Sequence, residues 1–380
     1  MIRYLKKTIL FIGLILLPIN ILGDSIKLYS NNVLVYNLDE NKILYSENEK
    51  DKISIASLTK IMTVIVSLEN INNLDETIKF PKINYLYEYS RVGFETDDEL
   101  TYRDLLYSAI LPSAADATEG LAILISGSTN KFVDLMNDKA KELGMNNTHF
   151  SNTYGKDSEN NYSTLNDLLT LMIYALDNPE FYKIFTTKSY TLSFGKTINN
   201  SISYYNRKSN LDITPIIGNK TGFTDDSGYC MISIYKKGEA HLLIITTNAN
   251  SKINKPTHLI DNLNIGNYYF ENYKYFYILR EGEYIGNIKI LGIKEKIYSE
   301  DELKLYLSDG IDIETEFKDL GNISFTSKVG DKVGEYVIKY DNEEITKDIK
   351  IPNTFRFKFL LFLNKYLTIV YLITRILLFI

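Results

Sequence analysis

A helical repeat of apolar residues behind one serine constrains this chain more than any other feature. Apolar side chains recur every three or four residues, which predicts a buried amphipathic helix containing Leu58, Ile61, Met62, Ile65 and Leu68. Ser57 stands at the start of this helix, and Lys60 follows on the same face. Unpaired N–H groups at a helix N-terminus suit an oxyanion. The stretch therefore predicts a serine nucleophile with a lysine base.

The spacing alone does not decide between this chemistry and a serine that merely caps a helix. Ser-x-x-Lys occurs four times in the chain, at Ser57, Ser128, Ser193 and Ser233. The partner residues that such a mechanism requires must therefore be found elsewhere in the sequence.

Length and composition indicate an exported globular protein. The 380 residues, 45% hydrophobic and 24% charged, are enough for two domains with a substantial core. Residues 1–23 have the basic start and apolar run of a secretory signal peptide, and an uncleaved membrane anchor is the alternative. Removal of Arg3, Lys6 and Lys7 with this segment changes the net charge from −6 to −9, which argues against nucleic-acid binding.

Cysteine and histidine usage excludes two other classes of site. Cys230 is the only cysteine, so the chain has no internal disulfide. The three histidines are scattered and form no cluster with metal-ligand spacing. We therefore expect neither a metal nor another cofactor.

The order of periodic segments predicts an α/β fold followed by an all-β domain. A strand hairpin comes first, and helices then begin near Ser57, Thr101, Ala114, Lys131 and Leu165. A second hairpin follows, and after Tyr275 short alternating strands alone are expected up to the tail. The predicted boundaries are a signal peptide at 1–23, a catalytic domain at 24–273, a small β-domain at 274–352 and a terminal helix at 353–380.

Two further motifs supply partners for Ser57. Ser113 lies in a helix break after Pro112. Lys220-Thr221-Gly222 occurs once, directly before the second hairpin, where a strand would place Lys220 and Gly222 on one face and Thr221 on the other unless a local twist intervenes. Glycine admits close approach of a substrate backbone, and an open strand edge can hold a peptide by strand addition. A surface turn is the alternative for this tripeptide alone.

Together these motifs resemble the D-alanyl-D-alanine carboxypeptidases, the low-molecular-mass penicillin-binding proteins. The resemblance extends over the whole chain after residue 23. It is carried by Ala56–Thr63, Leu111–Ala114, Phe132–Asn137, Leu143–Met145, Thr148–Asn152, Tyr162–Thr164, Asn206-Arg207, Lys220–Thr224, Gly228–Cys230 and, in the β-domain, Lys328–Gly334. It implies an antiparallel sheet flanked by helices, followed by the small β-domain.

The resemblance also implies a role for each motif residue. Ser57 would attack the carbonyl between two D-alanines, Lys60 would accept its proton, and Ser113 would relay a proton to the leaving amine. The terminal carboxylate would be held by Lys220 and Thr221, with Gly222 giving close approach. Phe223 would share the oxyanion hole with Ser57 through its N–H group. The implied partners are peptidoglycan stem peptides, and β-lactams as covalent inhibitors.

One position departs from the family pattern. The second motif is normally Ser-x-Asn, but this chain has Ala115 where the asparagine is expected, with Asp116 next to it. Three outcomes remain open. Asp116 serves in place of the amide, the enzyme has altered activity, or the chain is a penicillin-binding scaffold without turnover.

The tail, residues 353–380, predicts a membrane helix. Basic and polar residues occupy about a third of its circumference, and apolar residues cover much of the rest. This pattern favours a helix lying in the outer face of the cytoplasmic membrane, and a helix that spans the membrane is the alternative.

Overall fold

The computed structural model describes residues 26–84, 88–321 and 323–379. The predicted signal peptide lies outside these residues. The chain packs as two compact units that divide between Tyr268 and Tyr269.

The first unit consists of α-helices and one main antiparallel sheet, with short strand pairs besides. Its strands are β1 (Ser30–Asn37), β2 (Lys42–Glu47), β3 (Thr77–Lys79), β4 (Glu99–Thr101), β5 (Ser189–Thr191), β6 (Thr197–Asn199), β7 (Ile216–Thr224), β8 (Gly228–Lys237) and β9 (Ala240–Ala249). Its helices are α1 (Thr59–Asn70), α2 (Tyr102–Ile110), α3 (Ala115–Ser126), α4 (Thr129–Glu142), α5 (Leu165–Asp177), α6 (Pro179–Thr186), α7 (Ser201–Ser209) and α8 (Thr257–Asn272), whose last turn enters the second unit.

The main sheet has the strand order β2-β1-β9-β8-β7, so β7 is an edge strand among the described strands. Each neighbouring pair is antiparallel. Helix α1 is buried for most of its length and contributes Ile61, Met62 and Ile65 to the main core, which Leu58 joins from the residue just before the helix. The sequence predicts this because those residues share one stripe of the helix. A rigid central helix therefore carries Ser57 at its start.

Local sequence signals explain several helix boundaries. Thr101 and Asp104 form the predicted capping box at the start of α2, each side chain accepting a backbone N–H from the other residue. The predicted first hairpin and the helices that begin near residues 57, 101, 114, 131 and 165 are confirmed within a few residues. Helices α6, α7 and α8 are not among the predicted elements.

The second unit consists of paired strands and one long helix. The strands are β10 (Tyr273–Leu279), β11 (Tyr284–Ile290), β12 (Ile293–Tyr298), β13 (Leu303–Ser308), β14 (Ile313–Asp319), β15 (Lys332–Tyr340) and β16 (Glu343–Lys350). The helix is α9 (Phe355–Phe379). The core contains Ile288, Ile290, Val333 and Ile338 from the strands, and Phe357, Leu360 and Leu361 from the start of α9.

Candidate active site

The nucleophile candidate sits on a short 3-10 turn, Ala56–Leu58, that leads directly into α1. Lys60 Nζ lies 2.8 Å from Ser57 Oγ and 2.7 Å from the carbonyl oxygen of Tyr154. Lys60 is 1% exposed, and Ser57 is partly exposed. A substrate can therefore reach the hydroxyl, while the amine beside it is shielded from water.

The loop that supplies the Tyr154 carbonyl presses against the backbone of the nucleophile turn. Gly155 has φ +90°, and a Cβ added there would lie 1.8 Å from the Ala56 carbonyl oxygen. Only glycine fits this approach. Asn152 shapes the loop, because its Oδ1 accepts backbone N–H groups of Gly155 and Lys156 at 2.7 and 2.9 Å.

The second hydroxyl pairs with the second lysine. Lys220 Nζ lies 2.7 Å from Ser113 Oγ and also donates to the carbonyl of Thr221. Ser113 has φ +63°, a left-handed conformation that non-glycine residues adopt at a cost of about 1–3 kcal/mol. This conformation occurs in the break between α2 and α3, where the sequence predicts Ser113.

Strand β7 runs alongside the nucleophile turn. A Cβ on Gly222 would lie 3.0 Å from both Ala56 Cβ and Ser57 N, so this glycine permits the strand to approach. Lys220 reaches Ser113 from the Gly222 side of the strand. The Thr221 hydroxyl instead lies 2.5 Å from Ser201 Oγ, at the start of α7. Phe223, two residues further, is partly exposed and packs on Tyr229.

The two buried lysines have perturbed acidities. Burial lowers the pKa of Lys60 to about 7, and the negative charge of Asp116 opposes that shift. Burial, together with repulsion from Lys60, lowers the pKa of Lys220 well below its usual value. Near neutral pH a substantial fraction of Lys60 is therefore uncharged and able to accept a proton.

Ala115, which replaces the asparagine of the family's second motif, lies in a closely packed environment. Ala115 is fully buried, and its N–H donates to the carbonyl of Ser90 at 2.7 Å. The Asp116 carboxylate is engaged by the N–H groups of Val92, Gly93 and Phe94 at 3.2, 2.7 and 3.2 Å. Asp116 thus binds a loop of its own chain, which argues against the alternative that it replaces the missing amide toward substrate.

Sequence reasoning missed the Tyr154 carbonyl and the Ser201 hydroxyl. A backbone acceptor leaves no side-chain signature, and Ser201 lies on a helix that was not predicted. The available signal for the first was Asn152 followed by Gly155, a pairing typical of tight loops.

Comparison with known proteins identifies the family. The model of the family described as D-alanyl-D-alanine carboxypeptidase matches residues 23–251. The chain belongs to this family. It is a serine-type D-Ala-D-Ala carboxypeptidase, a hydrolase.

Relatives of this carboxypeptidase cover most of its length. D-alanyl-D-alanine carboxypeptidase DacF of Bacillus subtilis is 25% identical over 320 residues, 81% of each chain. DacD of Salmonella typhimurium, a D-alanyl-D-alanine carboxypeptidase, is 31% identical over 67% of each chain.

Solved structures share the fold of the carboxypeptidase. Penicillin-binding protein 5 of Haemophilus influenzae is 21% identical with a TM-score of 0.66, covering 86% of this chain and 98% of that one. Penicillin-binding protein D2 of Listeria monocytogenes, solved in an ampicillin-bound form, is 26% identical with a TM-score of 0.54, covering 63% and 98%. The predicted fold class is confirmed.

Proposed function

We propose that this carboxypeptidase removes the terminal D-alanine from peptidoglycan stem pentapeptides through an acyl-enzyme on Ser57. The observation that carries the proposal is a pair of lysine–serine contacts, Lys60 with Ser57 at 2.8 Å and Lys220 with Ser113 at 2.7 Å. These contacts hold a nucleophile, a base and a proton relay beside one strand edge.

The acylation step follows from this arrangement. Neutral Lys60 takes the proton of Ser57 Oγ as the oxygen attacks the carbonyl carbon between the two D-alanines. The Ser57 and Phe223 N–H groups stabilise the oxyanion. The C–N bond then breaks, and Ser113 relays to the departing amine the proton that Lys60 took up. Free D-alanine leaves, Ser113 keeps its hydroxyl proton, and Lys60 is neutral again.

Deacylation uses water as the second nucleophile. Lys60 takes a proton from water, the ester to Ser57 is hydrolysed, and the shortened peptide leaves as a carboxylic acid while Ser57 recovers its proton. A β-lactam carries a carboxylate and a strained amide, so it enters the same route and forms a slowly hydrolysed ester. This chemistry supports labelling by penicillins.

Substrate binding relies on β7. Its outer edge is unpaired among the described strands, which supports binding of the stem peptide by strand addition. Lys220 and Thr221 hold the terminal carboxylate, and that anion favours the protonated form of Lys220. Because Gly222 lets β7 lie against Ser57 N, a peptide paired with this strand would lie beside the nucleophile.

We further propose that the enzyme works outside the cytoplasmic membrane and is anchored by α9. The helix offers an apolar window over Phe355–Leu377 with mean hydropathy 1.5. A cell-wall substrate requires the catalytic unit to lie on the outer side of that membrane.

The direct test is release of D-alanine from a soluble peptide ending in D-Ala-D-Ala, together with labelling by a fluorescent penicillin. Wild type should do both, and Ser57→Ala should do neither. Ser128→Ala is the matched control, because Ser128 begins another Ser-x-x-Lys but only caps α4. Persistent labelling of folded Ser57→Ala would refute the assignment of the nucleophile. Labelling of the wild type without D-alanine release would instead favour the scaffold alternative.

A further inference from the structure

The start of α9 packs into the core of the second unit, and the rest of the helix is exposed. Phe357, Leu360 and Leu361 lie in the core of the second unit. Arg356 forms a two-point ion pair with the buried carboxylate of Glu295, at 2.7 and 2.8 Å. Before residue 366 one side of the helix is exposed and presents Phe355, Phe359 and Phe362. From residue 366 onward apolar side chains are exposed around the helix: Tyr366, Leu367, Ile369, Val370, Tyr371, Leu372, Ile373, Ile376 and Leu377.

Because the core of the second unit covers part of α9, less of the helix is available to lipid. The apolar window of 23 residues includes the three core residues. The segment from Tyr366 to Phe379 is only about 21 Å long at 1.5 Å per residue, whereas a bilayer core is about 30 Å thick. The first part of the window is therefore held on one side by the core of the second unit, and the part from Tyr366 onward is exposed on all sides.

A turn of the second unit lies where the helix becomes exposed. Asn364 Nδ2 donates to the carbonyl of Ser324 at 3.0 Å. The turn, residues 323–327, is closed by hydrogen bonds from Ser327 N to Ser324 O and from Thr326 N to Ser324 Oγ, both at 3.2 Å. Phe325 follows Ser324 directly and is 43% exposed. An aromatic ring is thus presented beside the turn of α9 at which the helix becomes exposed on all sides.

We propose that this turn is a second membrane contact, with Phe325 entering the headgroup region beside α9. Phenylalanine is among the apolar residues that interfacial segments bury at the boundary between headgroups and acyl chains. Exposed cations directly follow the turn, at Lys328, and lie on α9, at Lys358 and Lys365, and they match anionic lipid. Two contacts also fix the rotation of α9 about its axis. The inference rests on the membrane anchoring proposed above.

The chain contains no tryptophan, so single tryptophans report on chosen positions. We would prepare Phe325→Trp, Tyr366→Trp and Ile293→Trp in the chain from residue 24 to residue 380. Ile293 is the matched control, an apolar residue of the same unit that is 50% exposed. Vesicles of phosphatidylcholine with phosphatidylglycerol should shift the emission at positions 325 and 366 to shorter wavelength. Brominated lipid should quench both, and position 293 should not change.

A partition measurement completes the test. Phe325→Ser should weaken vesicle binding about fivefold or more, since one large apolar contact is lost, whereas Ile293→Ser should change it less than twofold. A response at 366 without one at 325 would overturn the second contact. No response at either position would overturn the anchoring itself as well. D-alanine release from the soluble peptide, measured on the same samples, reports separately on the proposed catalysis.

Discussion

At the scale of single residues, the buried amine of Lys60 should set the working pH if it is the base, as proposed above. Its pKa of about 7 lies between those of an ordinary lysine and an ordinary carboxylate. Acylation should therefore rise as pH increases through this value, because only the neutral amine accepts the Ser57 proton. Asp116 raises that pKa, so this carboxylate tunes the base as well as holding the loop at residues 92–94.

Removing the Asp116 charge tests this tuning. Asp116→Asn should lower the pKa of Lys60 and move the acidic limb of penicillin acylation toward lower pH. The rate at pH 6, relative to that at pH 8, should rise about twofold or more. Asp98→Asn is the control, since Asp98 is an exposed carboxylate that also accepts a backbone N–H in this segment. If the acidic limb of the pH–rate profile stays in place or moves to higher pH, Asp116 does not raise the pKa of the catalytic base.

Ala115 offers a second prediction at this scale. An asparagine there would supply a donor and an acceptor to the substrate amide in a largely closed site. A preorganised group that strengthens its contact in the transition state can raise the rate by about a hundredfold or more. We expect Ala115→Asn to raise kcat/KM for the peptide about tenfold, with a smaller effect on penicillin acylation. Unchanged or lower peptide turnover would mean that the backbone around Ser90 now fills this space.

At the scale of elements, α9 has two parts with different surroundings, and truncation separates them. A chain ending at Lys365 keeps Phe357, Leu360 and Leu361 in the core, and it should be soluble and active. Ending the chain at Asn353 removes those side chains and should destabilise the second unit by about 5 kcal/mol. Membrane fractionation and thermal unfolding measure the two effects. Equal stability of the two truncated chains would show that the start of α9 adds nothing to the core.

At the scale of the whole molecule, one buried histidine links folding to pH. His258 is fully buried between Tyr205 and Tyr229, and its ring nitrogens have no hydrogen-bond partner among the described residues. Burial lowers its pKa to about 3. In the window between about 6.5 and 3 the unfolded chain binds a proton that the folded chain does not. Stability is therefore full above pH 6.5 and falls as pH decreases through that window.

Replacing this histidine should flatten the acid response. His258→Phe keeps an aromatic ring between the two tyrosines and removes the titrating group. Its Tm should exceed that of the wild type, and the difference should be several degrees larger at pH 5 than at pH 8. Scanning calorimetry at both pH values measures this. A difference independent of pH would mean that His258 stays neutral in both states over this range.

The sequence anticipated those parts of the site that depend on local spacing. Ser57 and Lys60 meet because they stand three positions apart at a helix start, and Thr101 caps α2 as its motif predicts. The Tyr154 carbonyl and the hydroxyl pair of Ser201 and Thr221 depend on how distant segments pack, which spacing does not encode. The sequence also could not predict which part of α9 packs into the core, since its core-facing and exposed residues are equally apolar.

The open edge of β7 has a consequence for the behaviour of the protein in solution. An edge that accepts a substrate peptide also accepts the extended strand of any other chain, including a partly unfolded copy of this one. Lys220 is directed inward and cannot repel such a strand. The exposed apolar ring of Phe223 favours association at the same edge. Colloidal stability should therefore depend on occupancy of the edge, so a covalently bound β-lactam would delay aggregation of concentrated enzyme.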